Sequence, residues 1–144
     1  MAPEIRSAGS EELLEILSFW RRATEMASST DDLDALTVLC RRDSEALLVA
    51  VDGGAVVGTL IATWDGWRGA FYRLGVDPGR RRQGIGRALV AEGEARMRQR
   101  GCRRVSLYAV GEHAGAVAFW KAVGYQPDPD EIRFVANLGS AELS

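Results

Sequence analysis

The chain has 144 residues, 47% of them hydrophobic and 26% charged, with a net charge of −2 at pH 7. This balance describes one globular domain, residues 1–144, that can bury about two-thirds of its unfolded surface, and it makes nucleic acid no obvious partner. Cys40 and Cys102 are too few and too far apart for a disulfide framework or a metal site, which predicts free thiols in a reducing compartment. The N-terminal Met-Ala-Pro-Glu-Ile-Arg lacks the apolar core of a secretory leader, and no apolar run is long enough to span a membrane, so the expected location is cytoplasmic.

Taken in chain order, Glu4 to Ser7 reads as a short strand. Ser10 is a candidate N-cap, with Glu11 and Glu12 in the first turn of a helix. Leu13, Leu14, Leu17, Trp20 and Arg21 continue that helix at helical spacing to about Met26. Ala27 to Thr30 is a loop, and Asp31 is expected to cap a second helix carrying Leu33, Leu36, Leu39 and Cys40. Ala46 to Val51 and Ala55 to Trp64 read as strands about a hairpin turn, Asp52-Gly53-Gly54. Asp65 to Gly69 is the next turn, and Ala70 to Val76 the next strand. A helix over 84–100 stops at Gly101. A strand over 103–110, a helix over 114–123 and a last strand near 132–138 complete a mixed α/β chain.

The most informative segment runs from Leu74 to Val90. An apolar strand ends at Val76, Asp77-Pro78-Gly79 turns, and Arg80, Arg81 and Arg82 lead into Gly84-Ile85-Gly86 at the mouth of a helix. Glycines there let backbone amides approach a ligand, and the first-turn N–H groups have no partner inside the helix. The helix dipole and Arg80, Arg81, Arg82 and Arg87 add positive charge, so the expected ligand is a phosphate or diphosphate. Gly79 and Gly84 have the spacing of a P-loop, but Ile85-Gly86 stands where Lys-Ser/Thr is required. Gly84 and Gly86 begin a dinucleotide fingerprint, but Leu89 replaces its third glycine. The pattern [RQ]-x-x-G-x-[GA], between a strand ending V-x-P and an amphipathic helix, is met by Arg81-Arg82-Gln83-Gly84-Ile85-Gly86.

On these residues the chain resembles the GNAT family, the Gcn5-related N-acetyltransferases. A second landmark agrees: Val105 to Val110, then Ala116-Val117-Ala118-Phe119-Trp120, then Gly124-Tyr125. The resemblance implies a mostly antiparallel, splayed sheet flanked by helices, with acetyl-CoA as acyl donor. It places the diphosphate on the amides of Arg81, Arg82, Gln83, Gly84, Ile85, Gly86 and Arg87. It places the pantetheine arm along Leu74, Gly75 and Val76, where the strands part and backbone N–H groups can hold an oxyanion. Ala116, Phe119 and Trp120 join this donor-binding set. His113 stands where the family commonly has an asparagine beside the pantetheine. It is read as a contact to that arm, as a base, or as a solvent-facing helix start.

The implied reaction is transfer of acetyl to a primary amine of a small molecule or protein, by direct attack in a ternary complex. A lysine-like amine must first lose a proton, at roughly 4–5 kcal/mol at pH 7, so a base or water relay is useful. The family often has a tyrosine acid four residues before the Gly-aromatic pair. Trp120 occupies that position here, and an indole is no proton source. Tyr108 is the substitute candidate, or else an ordinary strand tyrosine. Tyr72 is placed toward the acceptor, with Arg73 on the alternate face, solvated or paired. Asp65, between Trp64 and Trp67, is either an acceptor-site rim or part of a bulged hairpin. Glu25, Asp31 and Asp32 lie where the resemblance puts acceptor specificity, though a solvated acidic loop explains them as well. The expected partners are acetyl-CoA and an amine acceptor, with a homodimer left open and neither metal, nucleic acid nor membrane. The alternative function is an acyl-CoA-binding sensor module that transfers nothing.

Overall fold

A computed structural model describes residues 2–24, 28–109 and 114–139, and the chain divides into two compact units, Met1–Tyr108 and Ala109–Ser144. The first unit contains β1 (Glu4–Ser7), α1 (Leu13–Ala23), α2 (Leu33–Arg42), β2 (Leu47–Asp52), β3 (Ala55–Trp64), β4 (Gly69–Val76), α3 (Ile85–Gln99) and β5 (Val105–Leu107). The strands form one sheet in the order β1-β2-β3-β4-β5. The first four are antiparallel neighbours, and β5 pairs parallel to β4. The expected mixed, mostly antiparallel α/β architecture is therefore present.

Helices cover both faces of the sheet. On one face, Leu13, Ile16, Leu17, Trp20 and Ala23 of α1 and Leu36 of α2 pack on Leu47, Val49, Val56 and Ile61. These positions recur at helical spacing, so burial of one stripe is what holds α1. On the other face, α3 comes unusually close. A Cβ at Gly58 of β3 would meet Ile85 Cγ2 and Leu89 Cδ1 at 3.0 Å, and one at Gly93 of α3 would meet Leu60 Cδ2 at 3.0 Å. Two glycines facing across the contact let helix and sheet approach, and this fixes where the N-terminus of α3 lies.

Several local expectations change. Ser10 begins a single 3-10 turn, Ser10–Glu12, rather than capping a helix, and Gly9 precedes it. The Glu12 carboxylate accepts from the Gly9 N–H at 2.7 Å and holds the Arg6 guanidinium, which leaves it below the usual carboxylate range. The cap of α2 is Asp32, whose Oδ1 accepts from Ala35 N at 2.8 Å, and not Asp31. α1 ends at Ala23, and Met26 lies outside the described residues. α3 ends as predicted: Gly101 has φ +88°, Gly101 N donates to Arg98 O and Cys102 N to Met97 O. The strand expected over 103–110 shrinks to three residues, each paired with Gly69, Ala70 or Phe71 of β4.

The second unit contains α4 (Ala114–Ala122). Gly124 has φ +101°, Gly124 N donates to Lys121 O and Tyr125 N to Trp120 O at 2.9 Å. This is a Schellman stop, and its hydrophobic contact is the edge-on packing of Tyr125 on Trp120, ring centroids 5.2 Å apart. Among the described residues no strand follows α4, so the strand expected near 132–138 is absent. A strand needs a ladder to satisfy its backbone, and none reaches this segment.

Candidate active site

β4 carries a bulge at its centre. The β3–β4 register places Ile61 opposite Tyr72 but Thr59 opposite Gly75, so Leu60 faces both Arg73 and Leu74. Arg73 has φ +53°, a left-handed conformation that a non-glycine residue adopts at a cost. Its surroundings compensate from two sides. The Arg73 carbonyl accepts from Thr59 Oγ1 at 2.8 Å, and Thr59 Oγ1 accepts from the Trp20 indole N–H at 2.9 Å. The Arg73 guanidinium lies over the Trp20 ring, 5.4 Å from its centroid. It donates from Nε to Asp31 Oδ1 at 3.0 Å and from Nη2 to Asp31 Oδ2.

The bulge ends the pairing of β4 with β5. After Phe71 opposite Leu107, the edge of β4 that faced β5 has no strand partner among the described residues, while β3 still pairs with its other edge at Gly75 and Val76. A bulge adds twist, and twist parts the parallel strands here. Tyr72 and Tyr108 are the next residues on the two strands beyond the last pair, and both are exposed. The bulge also breaks strict alternation. Tyr72, opposite Ile61, shares the α1 face with Arg73, so Arg73 is paired there and not turned to the alternate face.

Beyond β4 the chain turns tightly. Asp77 N donates to Val57 O, tying the turn to β3, and Asp77 Oδ1 accepts from Gly79 N at 2.9 Å. Arg80 braces the loop, with Nη2 2.8 Å from Asp52 Oδ2 and Nε donating to Gln83 Oε1 at 2.9 Å. Arg82 has φ +65° and Gly84 φ +83°. These turns aim the first amides of α3 outward. No side chain caps α3, its first helical bond is Ala88 N to Gly84 O, and open space surrounds Gly84. Ile85 is buried against β3 and Gly86 is buried beside it in the chain, whereas Arg82 and Arg87 are exposed and make no ion pair among the described residues. Arg81 leans back, its Nη2 donating to Ala23 O at 3.4 Å. The loop therefore presents N–H groups without a side-chain cap, and exposed positive charge, which suits a diphosphate.

The remaining candidates are more scattered. Asp65 Oδ1 accepts from the backbone N–H of Arg68 at 2.7 Å and of Trp67 at 2.8 Å, and these bonds hold its carboxyl below the usual range. Arg68 stacks on the exposed Trp67, 4.2 Å from its ring centroid. This loop precedes β4 and the arginine loop follows it, so the two lie roughly 25 Å apart along the strand. Asp65 is a hairpin cap. In the second unit, Phe119 and Trp120 meet edge to face at 5.2 Å, and Ala116 lies on the same helix. His113 and Glu25 lie outside the described residues.

Two contributors were not legible as site residues. Thr59, fully buried, joins α1 to the bulge. Asp52 looked like a turn residue and holds Arg80. A threonine inside an apolar run is the only one of these two signals visible in sequence. Asp31, expected both as a cap and beside the acceptor, is not the cap and holds Arg73. Among the described residues no cluster of His, Cys, Asp or Glu could hold a metal ion, and no helix is long and apolar enough to cross a membrane.

Comparison with known proteins gives a consistent result. The sequence profile of the acetyltransferase (GNAT) family matches residues 11–125. Acetyltransferase SG1711 of Sodalis glossinidius (strain morsitans) is 30% identical over 123 residues, covering 85% of this chain and 87% of that protein. Among solved structures, Ard1 from Thermoplasma volcanium superposes with a TM-score of 0.77 at 21% identity, over 86% of this chain and 82% of that one. The PaiA N-acetyltransferase from Thermoplasma acidophilum, solved in complex with coenzyme A, gives 0.79 at 17% identity, over 91% and 94%.

Proposed function

The chain belongs to the acetyltransferase (GNAT) family and is an acyltransferase with acetyl-CoA as donor, and from that premise we propose that it acetylates a primary amine by direct attack within a ternary complex. The observation that carries the reading is the junction of three features: the open edge of β4 after Phe71, the bulge at Arg73, and the uncapped start of α3. In this reading the amides from Arg81 to Arg87 bind the diphosphate, and the exposed Arg82 and Arg87 supply positive charge. The pantetheine arm runs along the open edge at Leu74, Gly75 and Val76 and bonds to the backbone there. Backbone N–H groups near Gly75 and Val76 stabilise the oxyanion as the amine nitrogen bonds to the carbonyl carbon. The C–S bond then breaks, the CoA thiolate leaves, and the ammonium proton passes to solvent.

No carboxylate occupies β4, so amine deprotonation falls to water or to a group on the acceptor side. Tyr108 and Tyr72 flank the point where the strands part, in reach of a proton-delivery or acceptor-contact role. The thiolate requires little help, because thiol pKa values lie only about one to two units above neutrality. The amine-bearing acceptor is a small molecule or a protein, and the working location is the cytoplasm.

The test is calorimetric titration of the full chain with acetyl-CoA, followed by a screen over amines, amino acids and peptide N-termini that reads released thiol. Binding with transfer, and intersecting double-reciprocal plots against both substrates, are the expected results. Parallel plots would exclude the ternary complex. Tight binding without transfer to any amine would favour a sensor.

A further inference from the structure

Arg73 contributes more than a strained backbone to the bulge. Its side chain crosses to the segment that enters α2, where Asp31 accepts two of its N–H groups. Both side chains are mostly buried. Asp31 has a further partner, because Oδ2 also accepts from Ser28 N at 3.0 Å, and Asp32 next to it caps α2. One carboxylate therefore ties the turn at Ser28–Asp31 and the guanidinium of the bulge into a single unit. The planar guanidinium lies over Trp20, whose indole N–H reaches the bulge carbonyl through Thr59. The arginine loop is held by a separate set, Asp77 to Gly79 N and Arg80 to Asp52 and Gln83. These bonds share no residue, although α1 touches both, through Trp20 at Arg73 and through Arg22 and Ala23 at the arginine loop.

We infer that Arg73 and Asp31 form a latch that fixes the Ser28–Asp31 segment against the transfer strand, so that Arg73 is a positioning residue for the acceptor and not for the donor. This rests on the acetyl-transfer reading above. The donor takes the open edge of β4 and the start of α3. The surface left beside the bulge is the α1 face at Tyr72, and the latched segment reaches this face at Arg73, the next residue. An incoming amine meets that wall, and a wall free to move would hold the amine poorly. The pairing also explains why arginine occupies a left-handed position. Asparagine or glycine would fit the backbone better but would leave Asp31 with the Ser28 N–H and no guanidinium.

That conflict supplies the test. Arg73→Asn suits the left-handed backbone yet removes the latch, Asp31→Asn removes it from the other side, and Arg73→Lys keeps the charge without the planar fork. Amide hydrogen exchange on the full chain is read at Ser28 to Asp32, and calorimetry reads acetyl-CoA affinity. In Arg73→Asn and in Asp31→Asn the exchange of this segment should rise by at least about tenfold, with the double variant no faster than either single. Acetyl-CoA affinity should stay within about twofold of wild type, because the phosphate loop is braced elsewhere. Where wild type acetylates 2-phenylethylamine, spermidine or trialanine, the amine KM should rise in Arg73→Asn with the acetyl-CoA KM unchanged, and Arg73→Lys should recover part of it. Unchanged exchange in both single variants overturns the latch. A loss of acetyl-CoA affinity as large as the rise in amine KM overturns the acceptor assignment. A wild-type chain that binds no acetyl-CoA sinks the transfer reading, while exchange still decides the latch.

Discussion

The hydroxyl of Thr59 donates to the carbonyl of Arg73 at 2.8 Å across the β3–β4 bulge, and the Trp20 indole N–H donates to that same hydroxyl at 2.9 Å. One buried side chain thereby bonds to two groups, one from a helix and one from a strained strand. Thr59→Val keeps the shape and removes both bonds. Its expected cost is about 2–3 kcal/mol. Calorimetry or circular dichroism should show Tm lowered by several degrees, at about 2–4 °C per kcal/mol for a chain of this size. A Tm within a degree of wild type would mean that water replaces the hydroxyl.

The amides at the start of α3 make a second prediction. Gly86 is buried in the first turn of α3. Gly86→Val adds a branched side chain at the point where a diphosphate must approach backbone. Acetyl-CoA Kd should rise by at least about tenfold with the fold retained, since a contact between backbone and charged phosphate contributes about 1.5–3 kcal/mol. Unchanged affinity on a folded variant, measured by titration calorimetry, would remove the diphosphate from this loop.

The arginines should separate by salt dependence. Arg82 and Arg87 are exposed and unengaged among the described residues, so Arg82→Ala and Arg87→Ala should weaken acetyl-CoA binding and do so less as salt rises. Arg80 is already engaged with Asp52 and Gln83. Arg80→Ala should act by loosening the loop, with a smaller salt dependence. Calorimetric titration at low and high ionic strength checks the contrast, and equal salt slopes would refute it.

Gly93→Ala tests the close approach of α3 to the sheet. In an open helix alanine is preferred to glycine by roughly 0.5–1 kcal/mol. Here the new Cβ would meet Leu60 Cδ2 at 3.0 Å and the Phe71 ring at 3.2 Å. Overpacking should win, with a net loss of about 1–3 kcal/mol in denaturant unfolding. A stabilised variant would show that the helix can lift without cost.

Tyr108→Phe should keep kcat within a few-fold. The CoA thiolate is a competent leaving group, and general acid catalysis would be revealed by a loss of about 10²–10⁴. A loss of that size with chemistry rate-limiting, and with acetyl-CoA affinity unchanged, would make Tyr108 the acid.

The sequence by itself determined the parts of this protein whose physics is local. The hairpin at Gly53-Gly54, the stops at Gly101 and Gly124, and the glycines that leave the start of α3 uncapped all follow from backbone conformations that glycine alone adopts easily. The shape of the arginine-glycine loop was legible for the same reason, because it is set by the backbone conformations of residues near in the chain. The tertiary structure decided what depends on distant neighbours. Asp31 looked like a helix cap and is the partner of an arginine 42 residues away, because an isolated cap and a buried ion pair read alike in sequence. The bulge at Arg73 broke the alternation that a strand pattern assumes, since arginine in a left-handed conformation needs contacts from distant residues, here Thr59, Trp20 and Asp31. The strand predicted near 132–138 failed on the same principle: a strand exists only when another strand completes its hydrogen bonds, and no apolar alternation within one segment can supply that partner.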